Sequence, residues 1–445
     1  MDELLTICDR AVQAALDAGA DEAEAFAVRG DRVDVQLSKN DIQIAKSIKS
    51  DGLGLRVFRG GGAGFAFANT FEEDAVRESV ERALGIAGAA PPDEHNGLPD
   101  PTPLTQRDGI LDPAASSFGV GEAVERALDM LRAARGSDPR VTVDAGELSG
   151  RRGEKAVVSS RGVRASEEGS AFYCLILGMA RDGDRVSSFD FQFDSSRSAA
   201  GIDPVAVARR FADNVVGTLG AVKGESFEGP VILAPKAATD IVSYPVAVAV
   251  KASSVQKEIS KFAGKLGRRV GSELLTVVDD SSLGDGLATT SFDREGLSPQ
   301  VLPILERGVL RNYLYDGYTA RKEGRLSTGH AGGGASDVPS VACTNVVWSP
   351  GGTSLDDMVA GVDRGVLVSR FSGNVDPVSG DFSGSVKGGH MIRAGRLAEP
   401  LCGTMIAGNT FELLDGVSAV SVERERLFDE TMPYLRLDRV SVSSG

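Results

Sequence analysis

The sequence Phe292-Asp293-Arg294-Glu295-Gly296 opens a series of short motifs, most of them containing glycine, in the second half of this chain. The later motifs are Gly308-Val309-Leu310, Tyr315-Asp316-Gly317-Tyr318-Thr319-Ala320, Ser327-Thr328-Gly329, Gly380-Asp381-Phe382-Ser383-Gly384 and Asn409-Thr410-Phe411-Glu412. Glycine makes up 54 of 445 residues, well above the usual share of roughly 7%. Because glycine supplies tight turns and bulges between strands, we predict that this half is largely β-structure.

The pattern of apolar residues predicts an α+β fold. A helical stripe over residues 2–19 is followed by period-two alternation at Val33, Val35 and Leu37 and again over 53–57, which predicts an antiparallel meander. A second amphipathic helix is expected over about 70–87. We therefore predict an N-terminal region of antiparallel meanders with flanking helices, followed by a largely β C-terminal domain, either a barrel or stacked sheets.

The same pass along the chain predicts its domain boundaries. Residues 1–87 form an N-terminal α+β domain, and 117–225 form a central α+β domain with the same order of helix, strands and helix. Between them, the six prolines of residues 88–116 predict a linker or a long covering loop. Residues 226–445 form the β-rich C-terminal domain.

Charge and cysteine content limit the functional classes. The formal net charge is −15, which argues against nucleic acid as the main partner, since that affinity depends largely on Lys and Arg. No uncharged apolar run of about 18 residues is present, so we expect no membrane span. The four cysteines are far apart and form no CxxC pair, and the acidic N-terminus leads directly into a helix. These features predict a cytoplasmic protein with reduced thiols and no signal peptide.

The order and wording of the glycine-containing motifs resemble the TldD/PmbA family, a group of two-subunit metallopeptidases. The resemblance spans nearly the whole chain and is most specific from about 230 to 440. One branch of that family carries a zinc-binding HExxxH helix, and the PmbA (TldE) branch does not. The branch therefore determines what chemistry the resemblance implies.

In the zinc-bearing branch the HExxxH helix follows a strand that ends in a Leu-Ala-Pro-type turn, here Leu233-Ala234-Pro235. Aligned on that turn, Ser243 takes the place of the first His, Tyr244 that of the Glu and Ala247 that of the second His. Ala has no ligand atom, a Ser hydroxyl is a poor zinc ligand, and Tyr, which titrates near about 10, is a weak base at neutral pH.

The zinc branch also takes a cysteine ligand from near its C-terminus. The matching stretch here, residues 423–433, contains neither Cys nor His. The chain therefore resembles the PmbA (TldE) branch, and we expect no metal or other cofactor in it.

The resemblance implies a non-catalytic partner subunit of a peptidase that acts on peptides and unfolded proteins. Its implied partner is a TldD-like subunit that carries HExxxH and holds the zinc. Its implied substrate is an extended peptide, a ligand typically bound as an added strand at a sheet edge. The resemblance leaves open whether the chain also forms a homodimer and whether it is an enzyme by itself.

A stand-alone hydrolase is the first alternative. Ser383 lies on a turn beside Asp381, and His390, seven residues on, is the nearest candidate base. A family turn motif explains the same three residues more simply.

An unrecognised metal site is a variant of that alternative. It would need two of His95, His330 and His390 to converge with Asp381 or Glu295, although nothing in their spacing requires this. We interpret the histidines as isolated loop residues and Cys402 as a small core residue. The second alternative, an interaction protein of the DNA-gyrase-modulator type, is disfavoured by the negative charge.

Overall fold

The computed structural model describes residues 2–444. In its N-terminal half, long strands alternate with helices. In chain order these are α1 (Asp2–Asp17), β1 (Glu22–Ser38), β2 (Asp41–Arg59), β3 (Gly62–Ala68), α2 (Glu73–Ala89), α3 (Val120–Ser137), β4 (Val141–Ser159), β5 (Arg164–Asp182), β6 (Arg185–Val186), β7 (Asp190–Ser196) and α4 (Pro204–Gly217). Short 3₁₀ turns lie at Pro113–Ser116 and Ala199–Gly201.

The strands β1–β7 form one antiparallel sheet, the N-terminal sheet, in the order β3-β2-β1-β4-β5-β6, with β7 also paired to β5. β1 pairs with β2 along one edge and with β4 along the other, so the predicted segments 1–87 and 117–225 contribute to a single sheet. This sheet provides the antiparallel meander that the alternation of apolar residues predicts.

The two faces of this sheet have different neighbours, because successive residues of a strand point to opposite faces. The odd-numbered residues of β1 pack in apolar clusters with the helices α1–α4; they include Ala23, Ala25, Ala27, Val35 and Leu37. Its even-numbered residues include Glu24 and Phe26, which contact the C-terminal half of the chain. The N-terminal sheet is therefore a layer between its own helices and the C-terminal half.

The C-terminal half contains shorter elements. They are β8 (Val222–Lys223), β9 (Phe227–Leu233), α5 (Pro235–Ala238), α6 (Tyr244–Ala249), α7 (Ala252–Gln256), β10 (Val277–Asp279), β11 (Leu302–Glu306), β12 (Val309–Leu310), α8 (Gly317–Lys322), β13 (Ala331–Gly332), β14 (Ser340–Val341), β15 (Val346–Trp348), α9 (Leu355–Ala360), β16 (Arg364–Val368), β17 (Arg370–Val375), β18 (Asp381–Lys387), β19 (His390–Arg393), β20 (Arg396–Cys402), β21 (Thr404–Asn409), α10 (Thr410–Leu413), β22 (Val417–Leu427) and β23 (Glu430–Ser444).

Most of these strands join one large mixed sheet that runs β12-β11-β10-β15-β23-β9-β16-β19-β20-β8. The pairs β15–β23 and β9–β16 are parallel, whereas β9–β23 is antiparallel. The predicted α+β class is confirmed, with an antiparallel sheet first and a large mixed sheet second. Within residues 2–444 no helix is long and apolar enough to cross a membrane.

The connecting segment, residues 90–112, lies across the C-terminal half. The Tyr318 hydroxyl donates to the Asp93 carboxylate at 2.8 Å, and Arg321 donates to two backbone carbonyls of the segment at 2.8 and 2.6 Å. Further along, the backbone N–H groups of Thr105 and Arg107 donate to serine hydroxyls at 2.7 and 3.1 Å. The segment is therefore a covering loop held in place by α8 and its neighbours.

A buried chain of ion pairs joins the two halves of the molecule. Arg294 contacts Glu24 at 2.7 Å, Glu24 contacts Arg56 at 2.7 Å, and Arg56 contacts Glu295 at 2.9 Å. The four side chains are at most 9% exposed. Burial by itself would raise the pKa of Glu24, but the charges of Arg56 and Arg294 outweigh it and lower that pKa. We call these four residues the docking network.

Two glycines let the backbone approach this network. The second oxygen of Glu295 accepts a hydrogen bond from the Gly317 N–H at 2.7 Å, and a Cβ on Gly317 would lie 2.7 Å from that same carboxylate. Gly296 has a φ of +80°, and a Cβ there would lie 2.2 Å from Val163 of the N-terminal half. The motif residues 292–296 and 315–320 are thus complementary parts of one buried junction.

The docking network predicts a large difference between two arginine substitutions. Arg56→Met removes the shared partner of Glu24 and Glu295 and leaves two carboxylates buried with incomplete pairing. We expect it to lower the free energy of unfolding, measured by urea titration, by about 3–5 kcal/mol. Arg77→Met is the matched control, because Arg77 is 62% exposed where it pairs with Asp74, and it should cost no more than about 1 kcal/mol. Equal stability of the two variants would contradict this role for Arg56.

Candidate functional site

The segment that follows β9 occupies the place of the zinc-binding helix in the sequence comparison above. β9 ends at Leu233, and Pro235 begins α5 at a position where its missing N–H is not needed. A π-helical turn, Thr239–Ser243, follows and leads into α6. In this turn the Tyr244 N–H donates to the carbonyl of Thr239, five residues back. Such turns are rare and are often found at functional sites.

Ser243 is buried and engaged by a tryptophan. The Trp348 indole Nε1–H of β15 donates to Ser243 Oγ at 3.0 Å, and each of these residues is 1% exposed. Tyr244, by contrast, is 48% exposed. Counting along HExxxH places the second His five residues after the first, so the matching position is Val248 and not Ala247. Both are half-buried apolar residues without a ligand atom.

Glu430, at the start of β23, lies against the same turn. Burial raises the pKa of Glu430 to about 7, although Thr239 and Ser243 contact its carboxyl group. Its Oε2 atom is buried without a hydrogen-bond partner within residues 2–444. The site thus combines a hydroxyl, an indole N–H and a carboxyl group that is readily protonated at neutral pH.

This set of donors does not fit a zinc ion. Zinc sites in proteins use Cys, His, Asp and Glu ligands, usually three or four of them. Glu430 contributes one such group, and the residue at the first His position is a serine already bound by Trp348. Across residues 2–444, no group of three or more His, Cys, Asp or Glu side chains is arranged to hold a metal ion.

The structure does not bring together the residues of the hydrolase alternative. Ser383 and Asp381 lie on β18, which pairs with β17 and β21, whereas His390 lies on β19 between β16 and β20. The Asp381 carboxylate accepts a hydrogen bond from the Asn409 side chain at 2.8 Å. Burial lowers the pKa of His390. Ser383 and His390 therefore lie on strands that do not pair with each other.

The histidines of the metal-site alternative also lie apart. His95 belongs to the connecting segment, and Glu295 is held by Arg56 in the docking network. His330 is fully buried: its Nε2 lies 3.2 Å from an Asp279 carboxylate oxygen and its Nδ1 lies 2.9 Å from the Thr328 carbonyl. The Asp279 contact was not predicted, because the two residues are 51 positions apart.

One interpretation of a cysteine is wrong. Cys402 is exposed and not part of the core, because it lies at the end of β20 in a two-residue pairing with β8. Its thiol lies 3.4 Å from the Ala221 carbonyl. Cys343 is half-buried near Asp279, and burial raises its thiol pKa above the ordinary value, which disfavours the reactive thiolate.

A large cavity separates the N-terminal sheet from the C-terminal half. Its volume is about 1160 Å³, and its walls come from β1, β4 and β5 on one side and from residues within 287–294, 329–333 and 342–344 on the other. His330, Phe292 and Lys155 line it. The Lys155 ammonium lies 4.5 Å from the centre of the Phe292 ring and 3.2 Å from the Glu167 carboxylate, and burial lowers its pKa. The cavity thus lies at the junction of the two halves.

Comparison with known proteins places this architecture in a family. Three family profiles match in succession: PmbA/TldA metallopeptidase domain 1 over residues 23–87, the central domain over 114–219 and the C-terminal domain over 226–444. The chain belongs to the PmbA/TldD metallopeptidase family.

Relatives within the PmbA/TldD family span the full length of the chain. A protein of Haemophilus influenzae named metalloprotease PmbA homolog is 29% identical, covering 100% of this chain and 96% of the relative. The crystal structure of TldE from Thermococcus kodakarensis matches with a TM-score of 0.91 at 25% identity, covering 99% of this chain and 100% of that one. A Thermotoga maritima structure described as a putative modulator of a DNA gyrase shares the fold, with a TM-score of 0.88 at 22% identity over 98% and 99% of the two chains.

The buried carboxyl group beside the π turn of this PmbA/TldD chain predicts a pH-dependent stability. The folded state keeps Glu430 protonated up to about pH 7, against a normal value of 4.5. Its contribution to stability is therefore fully present below about pH 4.5 and is lost as the pH rises through 7. Glu430→Gln stays neutral, so between pH 5 and pH 8 it should gain up to about 3 kcal/mol in unfolding free energy relative to the wild type.

Urea titrations at several pH values measure this gain. Glu78→Gln, at an exposed position of α2, is the control and should follow the wild type at every pH. A Glu430→Gln profile parallel to the wild type would show that this carboxyl group is ionised in the folded protein.

Proposed function

We propose that this chain is the non-catalytic subunit of a two-chain PmbA/TldD-type metallopeptidase, acting in the processing or degradation of peptides and unfolded proteins. A TldD-like partner with an HExxxH helix supplies the zinc and the catalytic base. We also propose, from its four free cysteines, that the complex works in the cytoplasm.

The Ser243–Trp348 hydrogen bond is the observation that carries this proposal. A metal bound through residue 243 would need the space directly beyond its side chain. The Trp348 indole, one of the largest fully buried side chains, occupies that space. Neither Ala247 nor Val248 offers a second ligand, so replacing Ser243 alone would not create a zinc site.

The likeness to TldE supports the subunit role. TldE of Thermococcus kodakarensis matches this chain from end to end at a TM-score of 0.91. The relatives named PmbA and TldD are both metalloproteases by name, which supports a role in proteolysis for a complex that contains this chain. The net charge of −15 supports a peptide substrate over nucleic acid.

Co-expression tests the proposal. When this chain is produced together with a paralogue that carries HExxxH, native mass spectrometry should detect a complex of both chains. The complex should cleave an unfolded protein substrate, and elemental analysis should find zinc in the paralogue. In the complex, Ser243→Ala should leave the rate within about twofold, whereas Glu→Gln in the partner's HExxxH should abolish cleavage.

Two results would overturn it. One is stoichiometric zinc or peptidase activity in this chain purified alone; loss of that activity in Ser383→Ala would then favour the hydrolase alternative. The other is failure of the two chains to associate under native conditions, since the proposal requires a stable pair.

A further inference from the structure

The cavity between the N-terminal sheet and the C-terminal half is lined by many charged residues. Its lining includes seven Arg and Lys residues against five Asp and Glu residues, and four carboxylates outside the lining pair with further lining cations. Only a cation that no carboxylate neutralises can attract an anionic ligand to the recess.

Most of these cations are already neutralised by carboxylates. The pairs are Arg29–Asp51, Arg32–Asp34, Arg152–Glu168, Lys155–Glu167 and Arg294–Glu24, with separations between 2.5 and 3.2 Å. The remaining two, Arg151 and Arg197, determine what the cavity can bind.

Arg197 keeps its full positive charge. Its guanidinium donates to the backbone carbonyls of Ser170, Gly286, Leu287 and Thr289, at distances between 2.5 and 3.2 Å. Carbonyl oxygens satisfy the N–H groups and fix the side chain, but they carry no net charge. Burial, together with the nearby charge of Arg151, lowers the pKa of Arg197 to about 10.

Arg151 is the exposed member of this pair. It lies on β4 directly opposite Arg32 of β1, so both side chains leave the same face of the sheet, towards the cavity. Within residues 2–444, Arg151 forms no ion pair with a carboxylate, whereas Arg32 is held by Asp34 and Glu147. The guanidinium group of Arg151 is therefore available to an incoming ligand.

Arg294 is a lining cation that is already committed to the docking network. It lines the cavity and is 3% exposed, and its Nη1 is bound to Glu24. Its Nη2 is buried without a hydrogen-bond partner among the described residues. That atom lies beside Gly54 and Ala335, which do not line the cavity, so Arg294 is not among the groups that would bind the ligand.

We propose that this cavity is a binding site for a peptide carboxylate, which the Arg151 guanidinium binds and the nearby positive charge of Arg197 attracts. A guanidinium recognises a carboxylate through two parallel hydrogen bonds, and the neighbouring positive charge strengthens them. The aromatic rings of Tyr173 and Phe428, 5.5 Å apart, line the same cavity and provide apolar contact for adjacent residues of the peptide. The volume of about 1160 Å³ exceeds the usual range of small-molecule sites, roughly 300–1,000 Å³, and so accommodates several residues.

The choice of a peptide rests on the proposed function, whereas the choice of a carboxylate rests on the arginines. Nucleic acid would bring many phosphates to a chain of net charge −15. The cavity has two lining cations, Arg151 and Arg197, that form no ion pair with a carboxylate within residues 2–444, a match for one or two carboxylates of a ligand. The carboxylate has two sources in a peptide: an acidic side chain or the free C-terminus.

Fluorescence anisotropy with four labelled heptapeptides tests the proposal on the isolated full-length chain. All four share one Gly-Ser-Ala sequence; they carry either Glu or Gln in the centre and end in either a free or an amidated C-terminus. At least one acidic peptide should bind, and the fully neutral Gln-amide peptide should bind at least about tenfold more weakly. Whether the Glu-amide or the Gln-acid peptide binds identifies the source of the carboxylate.

Substitutions at Arg151 connect that binding to the cavity. Arg151→Gln should weaken binding of the acidic peptide at least about tenfold, because a hydrogen bond to a charged group contributes more than a neutral one. Arg151→Lys keeps the positive charge but loses the planar guanidinium that forms two parallel hydrogen bonds, so it should give an intermediate loss of affinity. Arg132→Gln, at an exposed arginine of α3, is the control and should bind as the wild type does. Unchanged thermal unfolding midpoints show that the variants are folded.

Each other outcome overturns the proposal. If no peptide binds at millimolar concentration, or all four bind equally, the cavity does not recognise carboxylates. If acidic peptides bind but Arg151→Gln has no effect, they bind elsewhere. This experiment uses the chain alone, so it is separate from the co-expression test: a chain that binds acidic peptides but no HExxxH paralogue retains this site and loses the proposed function.

Discussion

The docking network is the interaction on which the rest of the structure depends. Glu24 and Arg56 come from the face of the N-terminal sheet that its helices leave open, and Arg294 and Glu295 come from the first glycine-containing motif. Two cations and two anions neutralise one another, so the junction can exclude water. Buried ion pairs of this kind add little net stability compared with apolar packing, but they penalise every alternative docking that leaves a charge unpaired. The network thereby sets the spacing of the two halves and with it the walls of the cavity.

The sequence predicts the classes of structure better than it predicts their extents. Apolar alternation finds the meander, yet β1 and β2 are 17 and 19 residues long. β2 includes the largely exposed residues 41–50, where apolar residues are not needed, and β1 pairs along them through residues 30–38. In the same way, Asp293-Arg294-Glu295 has the composition of a surface turn. Its burial depends on Glu24 and Arg56, more than 230 positions away, and no local pattern indicates such a pairing.

The sequence likewise predicts only part of the candidate site. Alignment on the Leu-Ala-Pro turn identifies Ser243, because that inference needs only the short helical segment that directly follows the turn. Trp348 and Glu430 were not predicted, because they reach the turn from strands that lie 105 and 187 positions further along the chain. Arg151 was not singled out either: a cation on an alternating strand is ordinary until the register shows that its neighbours are paired and it is not. The consecutive arginines Arg151 and Arg152 on one strand are the sequence signal that could have drawn attention to it.

The connecting segment has a consequence for how the chain is made. Its anchors, Ser291, Ser298, Tyr318 and Arg321, are synthesised about 180 to 230 residues after the groups that they hold. While the ribosome is still translating the central strands, this proline-rich stretch lacks the residues that it packs against. The open face of the N-terminal sheet is then exposed to water. The first two domains can therefore acquire their helices and strands early, but their final fit must wait until translation has passed the glycine-containing motifs. The second half of the chain is therefore needed to complete the folding of the first half.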